Sequence, residues 1–175
     1  MKPDPIQTER LVLRPLLVTD GAAIARAAND LEIARWLVRM PHPYAPEDAD
    51  AFVHENLGNA GTVWVIEAQG HFAGIIGTKG EFGYWLARTA WGQGYATEAG
   101  RAVLSCAFAR RYQLHIDAGH LAGNVRSRRV LDKLGFHQTG QDQRFVPALG
   151  HECDHVTMRL RRASWQVMTS AAASG

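Results

Sequence analysis

The sequence predicts a single α/β (α+β) domain, with a mixed, mostly antiparallel central sheet of about seven strands flanked by helices. Three observations carry this reading. The chain has 175 residues, a length that suits one domain with a sizeable core. β-rich stretches follow one another closely through residues 62–86, separated by the turn pairs Gln69-Gly70 and Lys79-Gly80. Beyond residue 92 the pattern changes to helix and strand in alternation, so helices must pack on the sheet.

Residues 6–14 read as the first strand, with Leu11 and Leu13 on one face and Pro15 closing it. Thr19 and Asp20 offer an N-cap for a helix through Ala22, Ile24 and Ala27. A short helix carrying Ile33, Trp36 and Leu37 stops before Met40-Pro41. Residues 42–46 are a proline-rich loop, and Pro46-Glu47-Asp48 opens a helix with Ala49, Phe52, Val53 and Leu57 inward. Strands follow at 62–68, 72–78 and 81–86. A long helix covers 93–111, a strand 114–118 and a helix 124–134, and strands at 136–146 and 154–161 complete the sheet. Residues 1–163 are expected to form the domain. Residues 164–175 lose periodicity and end in Ala, Ser and Gly, which predicts an at least partly mobile tail.

Composition narrows the function classes. Hydrophobic residues make up 46% and charged residues 21%, ordinary for a soluble protein. The net charge of +2 is too mild for a dedicated nucleic-acid binder, and no basic stripe with interleaved aromatics is present. Only Cys106 and Cys153 occur, so no disulfide framework exists. Residues 1–6 contain no apolar core of a signal peptide, and no apolar run approaches the roughly 20 residues of a membrane helix. The expectation is a cytoplasmic protein with neither nucleic-acid nor membrane partners. Cys106 reads as a small core residue. His151-x-Cys153-x-His155 would share a strand face, but no second ligand pair accompanies it, so no metal is expected.

Trp91-Gly92-Gln93-Gly94-Tyr95-Ala96-Thr97-Glu98-Ala99 lies between a strand and a helix. Two glycines allow unusual backbone torsions and close ligand approach, and the free N–H groups of the first helical turn favour an anion such as pyrophosphate. The helix behind projects Ala96, Ala99, Gly100, Val103 and Ala107 in one narrow stripe, so it can lie very close to the sheet. A tightly packed helix after a glycine turn is the plainer reading, and this loop alone leaves both open. In the second string, residues 124–136, Asn124 is an N-cap and Gly135 a C′ residue. Asn124 and Ser127 share the inward face of Val130, Leu131 and Leu134. They either cap the helix or line a groove over the sheet.

Taken together, Gly92-Gln93-Gly94-Tyr95-Ala96-Thr97-Glu98-Ala99, Asn124-x-x-Ser127 and Lys133-Leu134-Gly135-Phe136 resemble the two coenzyme-A motifs of the GNAT superfamily. More narrowly, they resemble its RimJ/RimL ribosomal-protein N-terminal acetyltransferase group. Thr8-Glu9-Arg10-Leu11-x-Leu13-Arg14, Phe82-Gly83-Tyr84-Trp85-Leu86 and Asp154-His155-Val156 agree, so the likeness spans residues 8–165. Where the superfamily's glycine loop usually begins with Gln or Arg, this chain has Trp91, and aromatic residues are familiar there in this subgroup.

The resemblance implies direct transfer of acetyl from acetyl-CoA to a primary amine, either a protein N-terminus or a small molecule. It implies pyrophosphate on Gln93 to Thr97, with Trp91, Gly92, Gly94, Tyr95, Ala96, Asn124, Ser127 and Arg129 completing the cofactor site. It implies pantetheine in a gap beside the strand 81–86, with the oxyanion on a backbone N–H near Trp85 or Leu86. Ser127 would protonate the leaving thiolate, and Glu81 would be the base. Glu81 also reads as an exposed glutamate at a strand edge. Trp36, His42, Tyr44 and Phe145 are candidates for the acceptor pocket. Some relatives carry a carboxylate in the last hairpin, and none stands around Phe145-Val146. Succinyl-CoA as donor, a CoA-binding module without turnover, and a homodimer stay open.

Overall fold

The chain folds into eight strands and six α-helices in a computed structural model, which describes residues 4–59 and 61–173. The first predicted strand is a hairpin, β1 (Ile6–Gln7) and β2 (Leu11–Pro15). Thr8 makes the turn: its N–H donates to Leu11 O at 2.9 Å, and its hydroxyl accepts from Leu11 N–H at 3.0 Å. The side-chain bond competes with strand continuation, as threonine often does. β3 (Val63–Ala68), β4 (His71–Gly77) and β5 (Gly83–Leu86) extend β1-β2 into a five-stranded antiparallel sheet in sequence order. β6 (His115–Leu121), β7 (His137–Val146) and β8 (His151–Arg161) form a second sheet, in the order β6-β8-β7. The expected single sheet of seven strands is thus divided five and three.

Among the described residues one contact between strands joins the halves. Phe82 pairs in parallel with Ala118, and Phe82 N–H donates to Asp117 O at 2.7 Å. Past this bridge β5 and β6 form no further pairing among the described residues, which leaves a gap in the backbone pairing between them.

Helices close both sides of the larger sheet. α1 (Gly21–Ala28), α2 (Leu31–Ala34) and α3 (Pro46–Asn56) pack Ile24, Ile33, Ala49 and Val53 onto Val63, Val65 and Ile75. Asp20 does not cap α1 through its side chain. Its carboxylate accepts from both Arg14 terminal nitrogens at 2.9 and 2.7 Å and from Leu17 N–H at 2.7 Å, a paired fork that outcompetes a single cap bond.

α4 (Tyr95–Ala109) lies on the opposite face and packs with residues of both sheets, Leu13 and Trp64 on one side and Ile116 and Met158 on the other. Its small-residue stripe is buried as expected. A Cβ on Gly100 would meet Leu134 Cδ1 at 2.7 Å and Phe82 Cζ at 3.3 Å, so a larger residue there would have to displace these core side chains. α5 (Val125–Lys133) ends in a Schellman turn: Phe136 N–H reaches Leu131 O at 3.0 Å, Gly135 N–H reaches Asp132 O at 3.0 Å, and Gly135 has φ +87°.

α6 (Arg162–Ala173) takes up most of the stretch expected as a partly mobile tail, a helix that the lost periodicity does not announce. Trp165 is 4% exposed with its ring 6.1 Å from Phe108, and Met168, one turn on, also packs against the core. Two anchors in an Ala/Ser-rich helix leave almost no periodic signal. Cys106 is exposed on α4 rather than part of the core, because it falls outside the buried stripe. Among the described residues no helix is long and apolar enough to cross a membrane.

Candidate active site

The glycine loop sits where the fold brings β5, α4 and the β1–β2 hairpin together. Gly92 and Gly94 have φ of +75° and +78°, in the left-handed region that other residues rarely adopt. Gly94 is the N-cap of α4, and no side chain caps that end. The first backbone bonds come from Thr97 and Glu98 N–H, both to Gly94 O. The N–H groups of Tyr95 and Ala96 therefore lie ahead of the helical ladder at its positive end, the arrangement that attracts phosphate.

Glu98 fixes this loop to the hairpin. Its carboxylate accepts from Thr8 Oγ at 2.6 Å, Arg10 N–H at 2.8 Å and Arg10 Nε at 2.8 Å. Arg10 then reaches Gln93 O at 2.8 Å, with its guanidinium 5.1 Å from the centre of the Tyr95 ring. Burial pushes the Glu98 carboxyl up, but the bonds from Thr8 and Arg10 outweigh it and hold the group below the usual carboxylate range. Beside the loop runs a groove of about 780 Å³ whose walls include Thr8, Arg10, Gly94, Thr97, Arg101 and Lys133. Arg101 and Lys133 form no ion pair among the described residues, so both can meet an anion. A smaller recess of about 460 Å³, bounded by Leu114, Arg159, Arg162 and Gln166, lies where β6 begins, at the end away from the gap.

Trp91 ties the loop to the strand. Its Nε1 donates to Leu86 O at 2.9 Å. The guanidinium of Arg126, from the first turn of α5, lies 4.5 Å from the centre of the Trp91 ring, and that of Arg88 lies 5.8 Å from it. An aromatic residue can therefore open this loop because its indole nitrogen finds a backbone acceptor and its faces find cations. Arg126, rather than the exposed Arg129, makes the contact with the loop. Nothing in the spacing of the arginines singles it out.

Strand alternation shows which backbone groups face the gap. Phe82 N–H bonds toward β6 and Ala87 N–H bonds toward β4, to Ala73 O at 2.9 Å. Trp85, paired with Ile75, therefore directs its N–H at β4, while Tyr84 and Leu86 direct theirs into the gap. Of the two positions expected for an oxyanion donor, Leu86 therefore directs its N–H into the gap and Trp85 directs its N–H at β4. The Trp85 side chain packs on Phe72, with ring centroids 5.7 Å apart.

Across the mouth of the gap stands the start of α5. Asn124 accepts from Ser127 N–H at 3.1 Å as its N-cap. The Ser127 side chain stands near enough to the Tyr84 phenol to influence its acidity. Burial pushes the Tyr84 phenol up to about 12, with Ser127 pulling the other way, so it stays protonated near neutral pH. The sequence reading missed Tyr84. Its signal was the alternation Phe82, Tyr84, Leu86, which puts the phenol on the same face as Phe82, at 6.2 Å between ring centroids.

The remaining candidates are scattered. Glu81 stands just before the bridge rather than inside the gap, about half exposed, with its carboxylate 3.9 Å from Arg144. Arg144 also binds Asp142 at 2.8 Å, and Asp142 accepts from or pairs with buried His155 at 2.7 Å. A carboxylate does therefore stand in the last hairpin, at Asp142, engaged by these two neighbours. Tyr44 is 7% exposed and belongs to the core beneath α1–α3, where burial pushes its phenol up to about 12. Trp36 is half-buried under Arg35, His42 is partly buried, and Phe145 is exposed on β7. Of these four, Tyr44 is the most buried and Phe145 the most exposed. Cys153 Sγ lies 3.5 Å from His151 Nδ1, and no group of three or more metal-ligating side chains exists among the described residues.

Residues 10–137 match the family described as the acetyltransferase (GNAT) domain. The uncharacterized N-acetyltransferase YnaD of Bacillus subtilis is 24% identical over 169 residues, covering 91% of this chain and 98% of that protein. The Mycobacterium smegmatis RimJ structure, in complex with CoA-disulfide, superposes with a TM-score of 0.79 at 26% identity, covering 97% and 95% of the two chains. A GNAT-family acetyltransferase of Bacillus anthracis superposes with a TM-score of 0.80 over 91% and 99%; at 23% identity it speaks to the fold alone.

Proposed function

Because the chain belongs to the GNAT acetyltransferase family, an N-acetyltransferase family whose donor is acetyl-CoA, we propose that it transfers acetyl directly to a primary amine. The observation that carries the proposal is the gap past the Phe82–Ala118 bridge, with the glycine loop at its rim and the Leu86 N–H directed into it. The residues suit acetyl-CoA in three places. The Gly92–Gly94 turn and the α4 N-terminus offer N–H groups to the pyrophosphate, and Arg101 and Lys133 offer charge to further phosphate. The gap offers extended backbone to the pantetheine arm.

Chemistry at the gap needs few groups. Holding amine and thioester together supplies several kcal/mol. Leu86 N–H stabilises charge that develops on the thioester oxygen. Ser127, held at the start of α5 by Asn124, donates its proton to the departing sulfur. Glu81, the base that the resemblance implies, stands before the bridge with its carboxylate 3.9 Å from Arg144.

The acceptor is a protein N-terminus or a small amine, and the similarity to a RimJ structure favours the N-terminus. Release of free thiol from acetyl-CoA, followed over a panel of N-terminal peptides, polyamines and amino acids, tests this. Turnover with an α-amine peptide supports the favoured acceptor. Turnover only with small amines moves the assignment to them, and turnover only with succinyl-CoA changes the donor. CoA binding with no turnover on any amine would make the chain a CoA-binding module.

A further inference from the structure

Three side-chain nitrogens among the described residues are buried without a partner: Trp64 Nε1, His42 Nδ1 and His120 Nε2. Only the last belongs to the strand that borders the gap. His120 lies two residues beyond Ala118 on β6, as Tyr84 lies two residues beyond Phe82 on β5. Alternation puts His120 on the face of Ile116 and Ala118, the side that α4 and α5 cover. Asn124 N–H bonds Leu121 O at 3.0 Å, so the first turn of α5, with Ser127, begins directly after His120. The residue is 7% exposed.

Its tautomer follows from one bond. His120 Nδ1 lies 3.0 Å from Leu121 O, and a carbonyl oxygen can only accept, so Nδ1 carries the proton. Nε2, at the far tip of the ring, is then a lone-pair acceptor with nothing to accept from. An unmatched buried acceptor is costly and calls for a partner. Glu81 is a weaker candidate for the same role, because it is exposed, faces Arg144 and stands before the bridge.

We propose that His120 is the proton acceptor of the acetyl transfer, an assignment that rests on the acetyltransferase reading. The amine lone pair attacks the thioester carbon, forming the C–N bond while the C=O pair moves onto oxygen at Leu86 N–H. The surplus N–H proton passes to His120 Nε2, giving an imidazolium. The oxygen pair then re-forms C=O, and the C–S bond breaks with its electrons on sulfur. Sulfur takes the Ser127 hydroxyl proton, and the imidazolium proton restores that hydroxyl, so the protein ends as it began.

The test compares His120→Asn, His120→Ala and Glu81→Gln with the parent protein in three readouts. Calorimetric affinity for CoA should stay within about twofold in both His120 variants, showing an intact fold and site. Turnover in His120→Asn should fall at least ~100-fold, with both KM values within about threefold, and added imidazole should partly restore His120→Ala. In the parent protein labelled with 15N-histidine, saturating CoA should shift the His120 Nε2 resonance, which needs no turnover and survives any folding failure of the variants. An Nε2 resonance indifferent to CoA, turnover of His120→Asn within threefold of the parent, or a larger loss in Glu81→Gln would each overturn the assignment. A parent protein that binds CoA but acetylates nothing would remove the underlying reading instead, and this inference with it.

Discussion

At the residue scale, each candidate's role follows from what its side chain already touches. Ser127 is held through its N–H by Asn124, and its side chain stands near the Tyr84 phenol. A thiol of pKa about 8.5 leaves readily near neutral pH, so help from a serine is useful without being decisive. Ser127→Ala should therefore lower kcat roughly tenfold, about 1.4 kcal/mol of barrier, and leave CoA affinity within twofold in a calorimetric titration. Equal losses in both would make Ser127 a binding residue. Asn124 and Ser127 were legible as an inward polar pair because helical spacing fixes a face. Tyr84 and His120 were not: Tyr84 sits inside a motif otherwise read for its backbone, and the strand holding His120 was expected to end at residue 118. Only the β5–β6 bridge shows that the two flank one gap.

At the element scale, the first-strand motif and the helix motif prove to be two ends of one joint. Thr8 and Arg10 were read as part of a strand and Glu98 as part of a helix, yet Glu98 collects bonds from both. Contacts across some ninety residues have no periodicity to reveal them, which is why the joint was invisible in the sequence. Glu98→Gln should destabilise the fold by on the order of 1 kcal/mol, the partial exposure of Arg10 limiting the effect. The pH dependence has a definite sign. The folded Glu98 pKa lies below its unfolded value, so its stabilisation is complete above the unfolded value near ~4.3 and fades as pH falls through the folded one. Acid melts of parent and Glu98→Gln should therefore converge at low pH and diverge above about pH 5; parallel curves would contradict the role. α6 is the opposite lesson, an element that only the burial of Trp165 and Met168 explains.

At the scale of the whole molecule, two sheets meet at a single bridged pair and are sealed on one face by α4, which touches both. The strand order and the helix faces were largely legible, because turn glycines and apolar spacing are local signals. The split into five and three strands was not, since it depends on where β5 and β6 part. A ligand that spans the gap and the α4 N-terminus binds the folded state alone and should stabilise it. Acetyl-CoA at 100 times its Kd should add about 2.7 kcal/mol, a rise in Tm of roughly 5–10 °C for a chain of this length. A melting scan with and without acetyl-CoA checks this, and an unchanged Tm at that excess would mean that acetyl-CoA does not bind the folded state in preference to the unfolded one.

The most direct measurement is calorimetric titration of acetyl-CoA into the parent protein and into Gly94→Glu. Gly94 holds φ +78° at the N-cap of α4, so glutamate there is strained and sets a negative charge where the pyrophosphate should lie. Saturable binding by the parent and none by a folded Gly94→Glu is the predicted result. Equal affinity in both, or no binding by either, would contradict the account.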